Sequence, residues 1–207
     1  MLEVGICPIF VANFSPRLEN RAKISRKIFR ERQIKVRSPF HLVSNVYAPL
    51  PMKYRIYGCY SKDYLKVLAE LYMKLGFERT LIMNAEIGMP EFSNVGKTFV
   101  VEQNGGDFKE YIVSPEDLGV SDAHPEDIKT GGREQNIEDF VRILKGDEQG
   151  PKADLVAINA GAALYALGDV KTIKEGTNKS LQILSSGNAY NVLKKLNTMF
   201  GCKTTLT

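Results

Sequence analysis

YRIYGCYSKDYLKVLAELYMKLGFERTLIM, residues 54–83, is the stretch that sets the class of the fold. Tyr54 to Tyr60 is a β-prone run, and Ser61 is an N-cap signal for a following helix. Tyr64, Leu65, Leu68, Leu71, Tyr72 and Leu75 then recur at helical spacing until Gly76 closes the segment. Arg79 to Met83 is again a short apolar strand. Strand, helix and strand at this spacing form a βαβ unit, which requires a right-handed crossover and parallel pairing. The expected architecture is α/β: a mostly parallel sheet flanked by helices, with an antiparallel hairpin.

The hairpin lies downstream, where TFVVEQ and FKEYIV are separated by Asn104-Gly105-Gly106-Asp107. That composition suits positive φ angles in a turn. A phosphate-cradling glycine loop would instead sit between a strand and a helix N-terminus. Gly131-Gly132 has that placement, before a helix over 136–144 with Ile137, Phe140, Val141 and Leu144 on one face. Two glycines before a helix also simply make a corner. DLVAI, 154–158, is expected as a last strand, and Asn159 to Ala163 as the start of a small-residue helix packed close to the sheet. Helices over 172–184 and 189–200 finish the chain.

Upstream, VGICPIFVA at 4–12 is a continuous apolar run expected as a buried strand. Ser15-Pro16 opens a basic helix through about residue 28, and the proline-bracketed segment 38–51 reads as short helical turns. Residues 17–37 hold nine Lys or Arg against Glu19 and Glu31, a local balance of +7 that leaves −3 of the chain's +4 elsewhere. A concentrated basic helix attracts phosphates on a nucleotide, a sugar phosphate or a nucleic acid, although charge runs also line ordinary solvated faces.

With 207 residues, 43% of them hydrophobic and 25% charged, the chain can bury one substantial core. No uninterrupted apolar stretch is long enough for a membrane helix, and the N-terminus lacks a basic-then-apolar signal pattern, so no membrane association and a cytoplasmic location are expected. Cys7, Cys59 and Cys202 are odd in number and widely spaced, which argues for buried thiols rather than disulfides or zinc.

NAEIGMPEFS, 84–93, follows the second strand of the βαβ unit and sets Glu86 and Glu91 around a glycine and a proline. Loops at strand ends are where small domains keep their chemistry, so this is the first acidic pair to consider as a cation site. His41 falls in the helical turns, and His124 is expected to begin a helix beside Pro125. No nucleophile is recognisable near either, and structural roles are expected for both.

GPKADLVAINAGAALYALG at 150–168 resembles a stretch typical of anthranilate phosphoribosyltransferases. EVGICPIF, the helix after Ser15-Pro16, Val36-Arg37-Ser38, YRIYGCY, the hairpin, SPEDLG, and Gly131-Gly132 with Asn136 follow in the family's order. The resemblance covers nearly the whole chain and corresponds to the C-terminal α/β portion of such an enzyme. It implies a single α/β domain over 1–207, with 37–52 as a short helical segment that in the family packs with an N-terminal helical domain.

The family holds phosphoribosyl pyrophosphate through a Gly-Thr-Gly-Gly-Asp loop and a Lys-His-Gly segment that precede this region, and neither occurs here. Its loop after the second strand resembles Asp-Gly-Leu-Asp-Glu, whose acidic pair holds magnesium on the diphosphate. Here the loop reads Ile87-Gly88-Met89-Pro90-Glu91, so Glu91 keeps its carboxylate while Pro90 replaces the aspartate. The resemblance implies a weakened Mg2+ site at Glu91, with Glu86, one position before the Ile87 that replaces the family's earlier acid, compensating, or else a solvent-facing carboxylate. The acceptor-lining positions of the family fall on Ser15, Ser25, Ser44 and Asn45, neutral groups ill-suited to anthranilate's carboxylate, while Arg26 and Arg37 can supply positive charge.

Three readings follow. The first is the C-terminal portion of a phosphoribosyl transferase, inactive alone and not anthranilate-specific. A separate N-terminal chain or a missing segment would complete it; Met1 begins abruptly within what would be a continuous fold. The second is a non-catalytic relative that binds nucleic acid or another phosphate-rich partner through 17–37. The third is a structural subunit that assembles, consistent with an expected homo-oligomer.

Overall fold

In a computed structural model of the protein, the described residues are 4–6, 20, 23, 24, 27 and 51–201. The chain divides into two compact units, one formed essentially by Lys53–Thr207 and the other by Val4–Met52. Of the second unit, Asn20, Lys23, Ile24 and Lys27 are helical and exposed. The strand expected over 4–12, the turns at 38–51, His41, Cys7 and Cys202 lie outside the described residues, apart from Val4, Gly5, Ile6 and Pro51.

In the first unit the βαβ segment folds as its pattern dictates. Strand β1 (Tyr54–Gly58) pairs in parallel with β2 (Arg79–Ala85), Tyr54 opposite Arg79 and Gly58 opposite Met83. The intervening segment begins as a short 3₁₀ turn, Lys62–Tyr64, where Ser61 Oγ accepts from the Asp63 N–H at 3.4 Å. It continues as α1 (Leu65–Lys74), which buries Leu65, Leu68, Ala69 and Tyr72. Gly76 then turns the chain at φ +87°.

The hairpin forms β3 (Thr98–Asn104) and β4 (Asp107–Val113), both antiparallel, and completes a four-stranded sheet of order β1-β2-β3-β4. Among the described residues the sheet is mixed, because β3 pairs with β2 antiparallel and only β1 and β2 run parallel. The turn glycines Gly105 and Gly106 adopt positive φ, as their composition requires.

Five helices follow β1–β4 and α1. The first is α2 (Pro115–Leu118), capped reciprocally by Ser114 and Asp117, and the second is α3 (Arg133–Lys145), directly after Gly131-Gly132. Then come α4 (Pro151–Leu167), α5 (Ile173–Ser185) and α6 (Asn188–Met199).

Two expectations are overturned. DLVAI is not a strand but part of α4, which begins at Pro151 and runs unbroken to Leu167. A short apolar run has no period to distinguish a buried strand from a buried helix. Within α4 the buried residues fall at helical spacing: Ala153, Ala157 and Gly161 on one row, Ile158, Ala162 and Ala166 on the next. His124 does not begin a helix; residues 125–128 form a turn in which the His124 N–H donates to Asp127 Oδ2 at 3.0 Å.

The buried residues of α4 serve two contacts. Ile158, Ala162 and Ala166 pack with Leu81, Met83 and Val100 of the sheet, Phe92, Leu118 and Ile173 in the main core. Gly161 lies against Gly176 of α5, so the closest approach is between helices rather than to the sheet. Among the described residues no helix is long and apolar enough to cross a membrane.

Candidate functional site

The loop between β2 and β3 departs from the end of a buried strand and returns to one. Its entrance is fixed by Asn84, whose Nδ2 donates to the Cys59 carbonyl at 2.8 Å. A tight turn follows: the Gly88 N–H donates to the Ala85 carbonyl at 2.8 Å, the Ala85 N–H to Met89 at 2.9 Å, and Gly88 sits at φ +86°. Pro90 then presses against β1. A Cβ at Gly58 would fall 1.3 Å from the Pro90 carbonyl oxygen, so only glycine leaves room for the loop here.

Phe92 is anchored twice. Its ring is fully buried in the main core. Its N–H donates to Asn159 Oδ1 at 3.1 Å, while Asn159 Nδ2 donates to the Phe92 carbonyl at 2.9 Å and to Leu155, one turn back on α4, at 2.9 Å. Beyond it the Ser93 hydroxyl bridges the N–H and carbonyl of Val95, and the Ser93 N–H donates to Thr98 Oγ1 at 3.2 Å. Asn94 Nδ2 donates to the Pro151 carbonyl at 2.8 Å, and the Gly96 N–H donates to Asp122 Oδ1 at 3.0 Å. The Asn94 Oδ1 is buried without a hydrogen-bond partner.

This scaffold treats the two carboxylates differently. Glu86 is exposed and zipped to Lys97: its N–H donates to the Lys97 carbonyl at 2.8 Å, and its Oε2 accepts from the Lys97 N–H at 3.4 Å. Glu91 is half-buried between the fixed residues Pro90 and Phe92, with no hydrogen bond or ion pair among the described residues. Burial pushes its carboxyl above the usual glutamate range, because the charged form loses solvent without gaining a partner.

Among the described residues no three His, Cys, Asp or Glu side chains converge on one point. A cation cage built wholly of protein carboxylates does not fit. Mg2+, however, is commonly held by one or two carboxylates with substrate phosphates and retained water, and an unspent, partly desolvated carboxylate suits that arrangement. The fit rests first on Glu91; Glu86 is exposed, and its one long contact from Oε2 to the Lys97 N–H, 3.4 Å, leaves lone pairs for an ion as well.

Arg26, Arg37, Ser44 and Asn45 lie outside the described residues. Gly131-Gly132 does precede a helix, with Gly132 at the N-cap of α3 and no side-chain cap. Asn159 and Gly58, which determine where Glu91 stands, escaped the sequence reading. Each had a local signal: a lone asparagine inside an alanine-rich helical block, and a glycine inside a strand.

A second polar cluster lies on the sheet. Arg79 donates to Glu102 Oε1 from Nε at 3.0 Å and Nη2 at 2.7 Å, and from Nη1 to the Tyr165 carbonyl at 2.7 Å. Tyr111 and Tyr165 hydroxyls both donate to Glu102 Oε2 at 3.1 Å, and the Arg79 guanidinium lies 4.0 Å from the Tyr165 ring centroid. Each nitrogen of Arg79 and each carboxylate oxygen of Glu102 makes an internal hydrogen bond, which marks the pair as a joint between β2, β3, β4 and α4 rather than a site awaiting a ligand.

Residues 2–190 match the glycosyl transferase family, a/b domain. The chain is 33% identical over 193 residues to an anthranilate phosphoribosyltransferase of Persephonella marina, covering 93% of this chain and 55% of that protein. The crystal structure of anthranilate phosphoribosyltransferase from Thermus thermophilus superposes with a TM-score of 0.75 at 34% identity, covering 83% of this chain and 50% of that one. The Saccharomyces cerevisiae enzyme in complex with PRPP and Mg shares the fold, with a TM-score of 0.68 at 23% identity over 77% of this chain and 46% of that one. The chain thus spans about half the length of the relatives it matches.

Proposed function

The chain belongs to the glycosyl transferase family defined by this α/β domain, and from that premise we propose that it is the C-terminal portion of a phosphoribosyl transferase acting in the cytoplasm. The observation that carries the reading is Glu91: a half-buried carboxylate without a partner among the described residues, on a loop fixed from both sides, at the position that the family resemblance matches to a magnesium-holding glutamate. Glu91 would hold Mg2+ together with the diphosphate of a phosphoribosyl pyrophosphate-type substrate. The ion would supply charge neutralisation on the leaving diphosphate. Glu86 would contribute as the loop's second carboxylate.

The phosphate-cradling glycine loop is absent from these 207 residues, so catalysis requires it from a preceding segment or an N-terminal partner chain. The chain is not anthranilate-specific: Ser15, Ser25, Ser44 and Asn45 offer neutral hydrogen bonds where a carboxylate calls for a cation. Arg26 and Arg37 remain the candidates for contacts to an anionic substrate.

The test is to mix the chain with a candidate N-terminal partner and follow Mg2+-dependent consumption of phosphoribosyl pyrophosphate across a panel of aromatic and heterocyclic acceptors. The expected result is turnover by the mixture alone, abolished by Glu91→Gln. No consumption and no binding of phosphoribosyl pyrophosphate by the mixture would remove the reading.

A second reading has one observation in its favour: Lys23 and Lys27, one helical turn apart in the basic segment, are both exposed. A non-catalytic relative using that face on nucleic acid would show affinity falling steeply with salt. The absence of any gel shift at low ionic strength would dispose of it.

A further inference from the structure

We infer that Asn159 is a positioning residue whose side-chain amide, by clamping both backbone polar groups of Phe92, holds Glu91 in its working place. The amide is saturated: Oδ1 takes the Phe92 N–H at 3.1 Å, and the two N–H groups go to the Phe92 and Leu155 carbonyls, both at 2.9 Å. The third bond ties the amide to its own helix, so the clamp is braced against α4 rather than swinging on a free rotamer.

Because the captured N–H belongs to the peptide joining Glu91 to Phe92, fixing it fixes the plane from which Glu91 departs. The opposite side is fixed by shape, through the Pro90 carbonyl seated on Gly58. Glu91 therefore needs no side-chain partner of its own to be held. A carboxylate hydrogen-bonded for support would have its lone pairs occupied; a carboxylate supported through its neighbours keeps them for a ligand.

The consequence for a ligand rests on the reading of Glu91 as a cation ligand, but the positioning itself is separable from it. The 207-residue chain is compared with Asn159→Ala, Glu91→Gln and a core truncation outside the loop, Val141→Ala, serving as a control for lost stability. Backbone 15N relaxation reports order at Glu91 and Phe92, and Mn2+ titration with inorganic pyrophosphate present throughout, as the diphosphate that completes the ion's shell, reports the carboxylate's use.

In the native chain the order parameters at Glu91 and Phe92 are expected near 0.85, falling below about 0.6 in Asn159→Ala and staying high in Val141→Ala and Glu91→Gln. Mn2+ affinity is expected to drop about 10- to 100-fold in Asn159→Ala, the usual effect of losing an outer-shell support, and not in Val141→Ala. Unchanged order at Glu91 in a folded Asn159→Ala variant overturns the inference, as does lost order with full Mn2+ affinity. If the native chain binds no Mn2+, the cation reading fails while the relaxation data still decide the positioning. If Asn159→Ala does not fold, hydrogen exchange in the native chain decides it: a Phe92 amide exchanging as fast as a solvated loop contradicts the clamp, and protection matching β2 supports it.

Discussion

Gly161 and Gly176 meet backbone to backbone where α4 crosses α5. A Cβ on Gly161 would stand 2.4 Å from the Thr177 nitrogen, and a Cβ on Gly176 would stand 2.5 Å from the Gly161 carbonyl oxygen. Replacing a helix-interior glycine by alanine ordinarily stabilises by about 0.5–1 kcal/mol through chain entropy. Here the atoms in the way are backbone and cannot swing aside, and overpacking of about 1–3 kcal/mol exceeds that gain. Gly161→Ala and Gly176→Ala are each expected to lower the urea midpoint; a rise in either would mean the helices separate freely.

The Arg79–Glu102 pair is predicted to matter through the group left behind. Their side chains are 15% and 7% exposed, and Tyr111 and Tyr165 complete the shell around Glu102. Arg79→Met leaves Glu102 buried without its cation and is expected to cost about 3–5 kcal/mol, as for other broken buried pairs. A double variant, Arg79→Met with Glu102→Leu, should recover much of that loss. Equilibrium denaturation of the three chains checks both statements.

The same cluster sets the alkaline limit. Burial, reinforced by the nearby Glu102 charge, pushes the Tyr111 hydroxyl far above its ordinary 10.0, and burial raises Tyr72 and Tyr165 in the same direction. A group whose pKa is raised on folding stabilises fully below its unfolded value and loses that contribution as pH climbs toward the folded one. Stability is therefore expected to hold up to about pH 10 and decline above it. Tyrosinate absorbance and circular dichroism followed together should show these three tyrosines ionising only with unfolding. Their ionisation in a still-folded chain would refute the assignment.

Gly58→Ala is predicted to disturb the loop rather than the strand alone. The added methyl would coincide with the Pro90 carbonyl oxygen, 1.3 Å away, so either β1 or residues 88–91 must move. A loss of stability at or above the upper end of the about 1–3 kcal/mol typical of overpacking is expected. Amide shift changes should concentrate at Met89 and Glu91, and amide spectra unchanged there would contradict the contact.

The sequence by itself determined the α/β class, the β1-α1-β2 unit, the β3-β4 hairpin and the corner before α3. Each of these is written in local periodicity or in turn chemistry within a few residues, where the chain's own geometry is enough to interpret it. It also singled out the pair Glu86 and Glu91, because carboxylates in a strand-end loop are visible without coordinates. Tertiary structure alone decided that 154–158 is helix, since an apolar run without period takes its form from whatever packs against it, here α5 and the sheet. It alone decided how the loop around Glu91 is held: the contacts responsible join Pro90 to Gly58 and Phe92 to Asn159, a partner 67 residues along the chain. Pairings across such distances follow from how helix and sheet are stacked, and no local pattern encodes them.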